Sequence, residues 1–102
     1  MQINSMIQNK TLYISLTGEL DEYTAAYCRN ELDNAFNIIG YNQIVLDLSK
    51  LTFMDSTGIG MLIGRYKKVR QLKKQIYISN PNNQIEKIFK MSGLYEIMPK
   101  IS

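Results

Sequence analysis

Two short stretches at the start of the chain are candidate strands, and the second of them alternates between apolar and polar residues, the period of a strand with one buried face. They are residues 2–8 and 11–17. Asn9 and Lys10 lie between them and suit a tight turn. In the second stretch every other residue is apolar, namely Leu12, Ile14 and Leu16. This pattern predicts a β-hairpin.

Apolar residues next recur at every third or fourth position, which is typical of an amphipathic helix. These residues are Ala25, Cys28, Leu32, Ala35, Phe36 and Ile39. Asp21 or Thr24 can cap the start of the helix, and Gly40 suits its C-terminal cap. We predict a helix that runs to about Ile39, with Cys28 packed in its apolar face as a small hydrophobe.

The rest of the chain alternates short apolar runs with helical patterns. Residues 43–49 form a nearly continuous apolar run, typical of a strand covered on both faces, and residues 75–79 form another strand. Helices are predicted over about 57–73 and 83–91, and a last strand is suggested within 97–102. This order predicts an α/β domain with a mixed, mostly parallel sheet of four or five strands and helices packed on it.

Length and composition fit one small globular domain that spans residues 1–102. Of the 102 residues, 45% are hydrophobic and 21% are charged, and no apolar run is long enough to cross a membrane. The first ten residues lack the basic and apolar regions of a signal peptide. The single Cys28 has no disulfide partner within the chain, which fits a reducing compartment. We therefore expect a cytoplasmic protein that does not engage a membrane.

Charge is distributed unevenly along the chain. Residues 1–55 hold three basic and seven acidic side chains, whereas residues 56–102 hold nine basic and two acidic ones. Six of the ten residues from Arg65 to Lys74 are Lys or Arg. Such a run can bind nucleic acid, but it is equally typical of the solvated face of an amphipathic helix. We favour the solvated face, because no known DNA-reading motif accompanies the run.

The sequence offers few of the side chains that enzymes use. It has no histidine and one cysteine, so it lacks a histidine base, a Ser–His or Cys–His pair and the ligands of a zinc cluster. Only carboxylates remain as acid–base groups. We expect a protein that is not an enzyme and that has no metal or cofactor site.

The stretch FMDSTGIG, Phe53–Gly60, concentrates polar residues and glycines at the expected turn from strand to helix. Gly58, Gly60 and Gly64 are spaced one residue off the dinucleotide-binding fingerprint, and the Walker pattern is absent, so a phosphate cradle is disfavoured. Ser56 is a poor nucleophile, because it lacks both the flanking glycines of G-x-S-x-G and a base to take its proton. The stretch is therefore weak evidence for a phosphate-binding loop and for a serine nucleophile.

A helix cap explains the polar residues of this stretch but not its glycines. Asp55, Ser56 or Thr57 can satisfy the free N–H groups at the helix start, whereas each of the three glycines costs about 1 kcal/mol of helix propensity. Gly60 and Gly64 lie four residues apart on one helix face, which leaves a surface without side chains beside an exposed hydroxyl. This suits a closely packed protein partner, and a phosphate on Ser56 would disrupt such an interface by its charge.

Three segments of the sequence closely resemble the STAS-domain anti-sigma factor antagonists of spore-forming Gram-positive bacteria. They are LTGELDEYTA (residues 16–25), IVLDLSKLTFMDSTGIGMLIGRYK (44–67) and MSGLYEI (91–97). The resemblance spans essentially the whole chain, and the D-S-[ST]-G-[LI]-G signature is specific to this group. The continuation into GRYK is most similar to the sporulation members, which antagonise the anti-sigma F factor. The resemblance implies a single STAS domain.

The resemblance also implies a partner and a switch. The unphosphorylated protein would bind an anti-sigma factor that is a serine kinase with bound nucleotide, and would so free a sigma factor for transcription. The kinase would phosphorylate Ser56 and end the interaction, and a serine phosphatase would restore it. Asp55 matches the aspartate that supports phosphorylation. The residues that match the partner-facing surface are Asp21, Asp55, Ser56, Thr57, Gly58, Gly60 and Gly64.

Alternatives remain within and outside the family. Thr57 stands where the sporulation members carry serine, which makes it a second, less favoured acceptor. The general-stress antagonists share the signature, so their pathway is the alternative within the family. A nucleic-acid-binding domain that uses the Arg65–Lys74 helix is the alternative from another class, although we expect no direct contact with nucleic acid. We expect the free protein to be a monomer, because the implied interface is small and reversible.

Overall fold

The computed structural model describes residues 1–102, and its first two strands form the predicted hairpin. Strand β1 spans Gln2–Gln8 and strand β2 spans Thr11–Leu20, and the two pair antiparallel. Asn9 and Lys10 form the turn with φ angles of +52° and +62°, as two-residue hairpin turns of the primed type require. The predicted bounds of β1 are confirmed, and β2 extends beyond its predicted end.

Two further strands complete a four-stranded sheet in the order β1-β2-β3-β4. Strand β3 spans Gln43–Met54 and strand β4 spans Gln75–Ser79. The β2–β3 and β3–β4 pairs are parallel, so the predicted mixed, mostly parallel sheet is confirmed. In place of a full last strand, residues 99–102 run along β4, where the N–H of Ile78 donates to the carbonyl of Pro99 at 2.9 Å.

Three α-helices connect or follow the strands. Helix α1 spans Ala25–Phe36, helix α2 spans Ser56–Gln71 and helix α3 spans Asn83–Ser92, followed by a short 3₁₀ helix at Leu94–Glu96. Buried residues of all three helices belong to one apolar cluster with alternate residues of the central strands. The helices therefore pack on the same face of the sheet. None of them is long and apolar enough to cross a membrane.

The opposite face of the sheet carries no helix. Met6 and Tyr13 on this face are 58% and 39% exposed. Val45 in the middle of β3 is nevertheless only 4% exposed, and its neighbours in the adjacent strands are the large residues Tyr13 and Tyr77. The prediction that β3 is covered on both faces is therefore wrong, because only Val45 is shielded on the second face.

Strand β3 continues to Met54, beyond its predicted end at residue 49, because it stays paired with β2 as far as Leu20, although this pairing is irregular. The register shifts twice, between Ser15 and Thr17 and again between Gly18 and Glu19. Such β-bulges turn a strand locally and interrupt its alternation. As a result, the core takes up residues of β3 at intervals of three, namely Leu48, Leu51 and Met54.

Helix α1 ends at Phe36 and not near Ile39 as predicted. The hydroxyl of Tyr41 donates to the carbonyl of Phe36 at 2.6 Å, which satisfies one of the free carbonyls at the helix end. Ile39 is 92% exposed, so its assignment to the apolar face is wrong. Gly40 lies in the turn that follows, with a φ of +103°, and does not cap the helix.

Candidate functional site

Helix α2 begins within the stretch that the sequence singled out. Asp55 is the N-cap, and its Oδ1 atom accepts a hydrogen bond from the N–H of Gly58 at 3.1 Å. Among the three residues that could cap the helix, Asp55 therefore does so. Ser56 and Thr57 follow in the first turn, and both are exposed. Because Asp55 provides the cap, neither hydroxyl is needed for it, and both are accessible to another protein.

Gly58 is buried, unlike the other two glycines of the predicted surface. A Cβ atom at this position would lie 2.8 Å from Cγ of Met54, 2.9 Å from Cγ of Leu20 and 3.1 Å from the carbonyl oxygen of Leu20. The glycine thus allows α2 to start directly against the ends of β2 and β3. The prediction that Gly58 faces a partner is wrong, because this position packs inside the protein.

Gly60 and Gly64 have open space around them. A Cβ atom at either position would meet nothing within 4 Å, and neither residue has a positive φ. The fold therefore requires glycine at neither position, although alanine would favour the helix by about 1 kcal/mol at each. Both glycines line a groove of ≈ 450 Å³ between α1 and α2, whose other small lining residues are Ala25, Ala26 and Thr57.

An ion pair joins α1 and α2 beside this groove. Arg65 is part of the groove wall, and its Nη1 atom donates to Oδ1 of Asp33 at 2.5 Å. Nζ of Lys68 lies 3.4 Å from Oδ2 of the same carboxylate. The Arg65 side chain is only 13% exposed, so this contact is better shielded from solvent than an ordinary surface pair. It holds the two walls of the groove together.

The turn that leads into α1 lies beside the start of α2. Oδ1 of Asp21 accepts hydrogen bonds from the N–H groups of Tyr23 at 2.9 Å and Thr24 at 3.1 Å. The N–H of Asp55 donates to the carbonyl of Leu20 at 3.3 Å. The structure thus brings the predicted site residues Asp21 and Asp55 into neighbouring segments, where the carboxylate of Asp21 holds its own turn in place.

Two exposed aromatic residues next to this turn were missed by the sequence analysis. Tyr23 is 86% exposed, and Tyr27 lies four residues further along and is 50% exposed. Exposed tyrosines are enriched among the residues that contribute most to protein interfaces. A signal for them is present in the sequence: neither tyrosine falls among the regularly spaced apolar residues that form the buried face of α1.

The basic run Arg65–Lys74 is largely engaged within the protein. Two of its six basic residues form the ion pairs with Asp33 described above. Cζ of Arg70 lies 5.9 Å from the ring centroid of Tyr66, and Nζ of Lys74 lies 3.6 Å from a second tyrosine ring, that of Tyr41. Lys67, Arg70 and Lys73 are exposed, as expected on the solvated face of an amphipathic helix.

Cys28, the single cysteine of the chain, is a core residue. Cys28 is fully buried, and burial raises the pKa of its thiol to about 12. This confirms its predicted packing as a small hydrophobe. No group of three or more His, Cys, Asp or Glu side chains is placed to hold a metal ion.

Comparison with known sequences matches nearly the whole chain to one family. The family model described as "STAS domain" matches residues 2–102. The anti-sigma F factor antagonist of Paenibacillus polymyxa is 36% identical over 99 residues, which cover 97% of this chain and 85% of that protein. The anti-sigma-B factor antagonist of Staphylococcus aureus (strain NCTC 8325 / PS 47) is 31% identical over 101 residues, covering 96% of this chain and 90% of the relative.

Solved structures of one protein, SpoIIAA, show the same fold. The unphosphorylated form of SpoIIAA, described as an anti-sigma factor antagonist, superposes with a TM-score of 0.79 at 27% identity, and covers 99% of this chain and 89% of its own. The phosphorylated form, described as a Bacillus cell fate determinant, superposes with a TM-score of 0.71 at 27% identity and covers 99% and 92%. The predicted fold class is confirmed.

Proposed function

The chain belongs to the STAS domain family, and from this membership we propose that it is an anti-sigma factor antagonist. In its unphosphorylated form it binds an anti-sigma factor and thereby frees a sigma factor for transcription in the cytoplasm. This role is regulatory and needs no catalytic residue in the chain itself. The two relatives above, named as antagonists of the anti-sigma F and anti-sigma-B factors, support the proposal.

The observation that carries the proposal is the pair of glycines that the fold does not require. Gly60 and Gly64 have no neighbour within 4 Å of a Cβ atom, and both line the groove between α1 and α2. A partner that packs against the bare backbone of α2 provides a reason for glycine there. We place the contact surface at Ser56, Thr57, Gly60 and Gly64, with Asp21 and Asp55 holding its two segments.

Ser56 is the proposed phosphorylation site, and the anti-sigma factor, with its bound nucleotide, is the proposed serine kinase. The exposed hydroxyl lies in the first turn of α2, where free N–H groups and the helix dipole favour negative charge. Because the side chain of Ser56 is exposed and Asp55 provides the cap, a phosphate leaves the packing of the fold intact. The phosphate therefore acts on the interface.

A phosphate switches the interface off by its charge. It adds roughly −1.5 to −2 charges at neutral pH, next to the carboxylate of Asp55. If a tightly packed partner covers Ser56, that charge is buried without a counter-charge, which is strongly unfavourable. Each 1.4 kcal/mol lost from binding lowers the affinity about tenfold. A serine phosphatase that acts on the phosphorylated form restores binding.

The sporulation sigma F pathway is the first candidate for what the protein regulates. The anti-sigma F factor antagonist is 36% identical to the chain, against 31% for the anti-sigma-B factor antagonist. The second value is high enough to keep the sigma B pathway as a second candidate. Purified anti-sigma F and anti-sigma-B factors, each in complex with its own sigma factor, distinguish the two pathways.

The experiment adds the unphosphorylated protein to each complex and follows the release of sigma factor by gel filtration. We expect release from one of the two complexes by the wild-type protein and by Ser56→Ala, and no release by Ser56→Asp. In a parallel kinase assay, phosphate appears on wild type and on Thr57→Ala, whereas Ser56→Ala stays unmodified. If wild type releases neither sigma factor, the proposed function is wrong.

A further inference from the structure

Strand β1 forms an open edge of the sheet, whereas the opposite edge is closed. Residues 99–102 run along β4, where the N–H of Ile101 donates to Ile78 at 2.9 Å and the N–H of Asn80 donates to Ser102 at 2.8 Å. Strand β1 pairs with β2 on one side only. Because the hydrogen-bonding groups of a strand point alternately to its two sides, about half of those of β1 are directed outward.

The features that usually protect an edge strand are absent from β1. Proteins commonly shield such edges with charged residues, proline, a bulge or a very short strand. The sequence of β1, QINSMIQ (Gln2–Gln8), contains neither a charge nor a proline, and all seven residues pair with β2 without a register shift. Six of the seven residues are exposed. An unprotected edge of this length is suited to pairing with another strand.

The sequence of β1 itself indicates which strand fits. It reads almost the same in both directions about Ser5, because Gln2 matches Gln8 and Ile3 matches Ile7. When two copies of β1 pair antiparallel about Ser5, Gln2 lies opposite Gln8 of the second copy and Ile3 lies opposite Ile7. Residues directly opposite each other share a face of the sheet, so isoleucine meets isoleucine and glutamine meets glutamine.

We propose that β1 is the interface for a second copy of this chain, and that the two copies form a symmetric dimer with one continuous eight-stranded sheet. Ile3 already packs against the core, so Ile7 of the second copy, now 38% exposed, extends the core across the interface. Met6, 58% exposed, lies opposite Asn4 on the other face. Because β1 carries no charged side chain, pairing places no like charges opposite each other within the two strands, although each copy carries a net charge of +3.

No residue of β1 lines the groove between α1 and α2, so the proposed dimer interface and the proposed surface for the anti-sigma factor use different residues. The inference is therefore independent of the proposed function. It replaces the monomer expected from the sequence, because that expectation considered only the reversible interface at Ser56 and not the edge of the sheet.

The test is sedimentation velocity of the whole chain from about 1 µM to about 1 mM, a range that covers weak and moderate dimers. The test variant is Asn4→Lys with Met6→Lys, which places lysine opposite lysine twice in the dimer and opposes pairing. The matched control is Asn4→Lys with Met6→Glu, which places lysine opposite glutamate twice. Both positions are exposed, and thermal unfolding verifies that each variant is folded.

We expect the wild type and the lysine–glutamate control to dimerise as concentration rises, and the double-lysine variant to dimerise at least about tenfold more weakly. A wild type that stays monomeric over the whole range overturns the proposal, as does a double-lysine variant that dimerises like the wild type. A lysine–glutamate control that dimerises no better than the double-lysine variant contradicts the pairing about Ser5.

Discussion

Gly58 packs against Leu20 so closely that a Cβ atom on the glycine would lie 2.9 Å from Cγ of the leucine. The contact joins the start of α2 to the end of β2, next to the hydrogen bond between the N–H of Asp55 and the carbonyl of Leu20. These contacts fix the first turn of α2 against the end of β2. Ser56 is exposed on that same turn.

Gly58→Ala is expected to lower the free energy of unfolding. Overpacking a dense site costs about 1–3 kcal/mol, and the backbone oxygen of Leu20 is among the atoms that a Cβ atom would crowd, so we expect this cost to exceed the gain of about 1 kcal/mol in helix propensity. Urea unfolding measures the change.

The matched controls are Gly60→Ala and Gly64→Ala, which are expected to raise the free energy of unfolding by up to about 1 kcal/mol while weakening the binding of the anti-sigma factor. A loss of stability in these controls equal to that of Gly58→Ala would disprove the distinction between the glycines.

Asp55→Ala is expected to destabilise the fold by about 1 kcal/mol, because it removes the side chain that caps α2. Asp55→Asn keeps an oxygen that can accept the bond from the N–H of Gly58 and should retain most of the stability. Ser56→Ala should change the stability by less than about 0.5 kcal/mol, as an exposed residue outside the cap. Thermal and urea unfolding of the three variants measure this order. A Ser56→Ala variant as unstable as Asp55→Ala would show that the serine shares the capping role.

Asp33→Ala is expected to destabilise the packing of α1 against α2 by about 1–3 kcal/mol, because it leaves the largely buried guanidinium of Arg65 without its carboxylate. The control is Lys68→Ala, which removes the longer and more exposed contact to the same carboxylate and should cost less than about 1 kcal/mol. Urea unfolding at low and moderate salt compares the two. If Asp33→Ala and Lys68→Ala lowered the free energy of unfolding equally, the burial of Arg65 would not strengthen its ion pair with Asp33.

Cys28 is expected to remain unreactive in the folded protein. Burial raises the pKa of its thiol from 9.0 to about 12, so the folded state keeps the thiol protonated where the unfolded state has lost its proton. The resulting stabilisation is complete below about pH 9 and is lost as the pH rises towards 12. A thiol reagent at pH 8 should therefore modify Cys28 only after denaturant is added. Rapid modification of the native protein would contradict the burial.

The stability difference between the wild type and Cys28→Ala gives a second readout of the same pKa. Because alanine does not titrate, the advantage of the wild type should shrink between pH 9 and pH 12. Urea unfolding at several pH values measures it. A difference that stays constant over this range would mean that the pKa of the thiol is the same in the folded and unfolded states.

The sequence predicts this structure well where local patterns decide it. The hairpin of β1 and β2 and its turn at Asn9 and Lys10 follow from the alternation of β2 and from turn residues that adopt a positive φ. Prediction fails where contacts outside the periodic pattern decide. The end of α1 depends on a hydroxyl five residues away, and the length of β3 depends on how it pairs with β2. Both act through tertiary contacts that a periodic pattern does not contain.

The same limit applies to the candidate site. Ser56 and Asp55 are identified by the turn from strand to helix and by their chemistry, and the structure places them there. The sequence alone does not distinguish Gly58 from Gly60. In the structure, Gly58 is packed against Leu20 and Met54, whereas Gly60 borders open space. Only the neighbours contributed by β2 and β3 separate a glycine that the fold requires from one that is available to a partner.

The central claim is that a phosphate on Ser56 turns partner binding off without disturbing the fold. The most direct measurement is isothermal titration of the cognate anti-sigma factor with the unphosphorylated protein and with the Ser56-phosphorylated protein, each verified by its unfolding curve. We expect tight binding by the first, binding weaker by at least about 100-fold by the second, and matching unfolding curves. Equal affinities of the two forms, or a phosphorylated protein that no longer folds, would contradict the account.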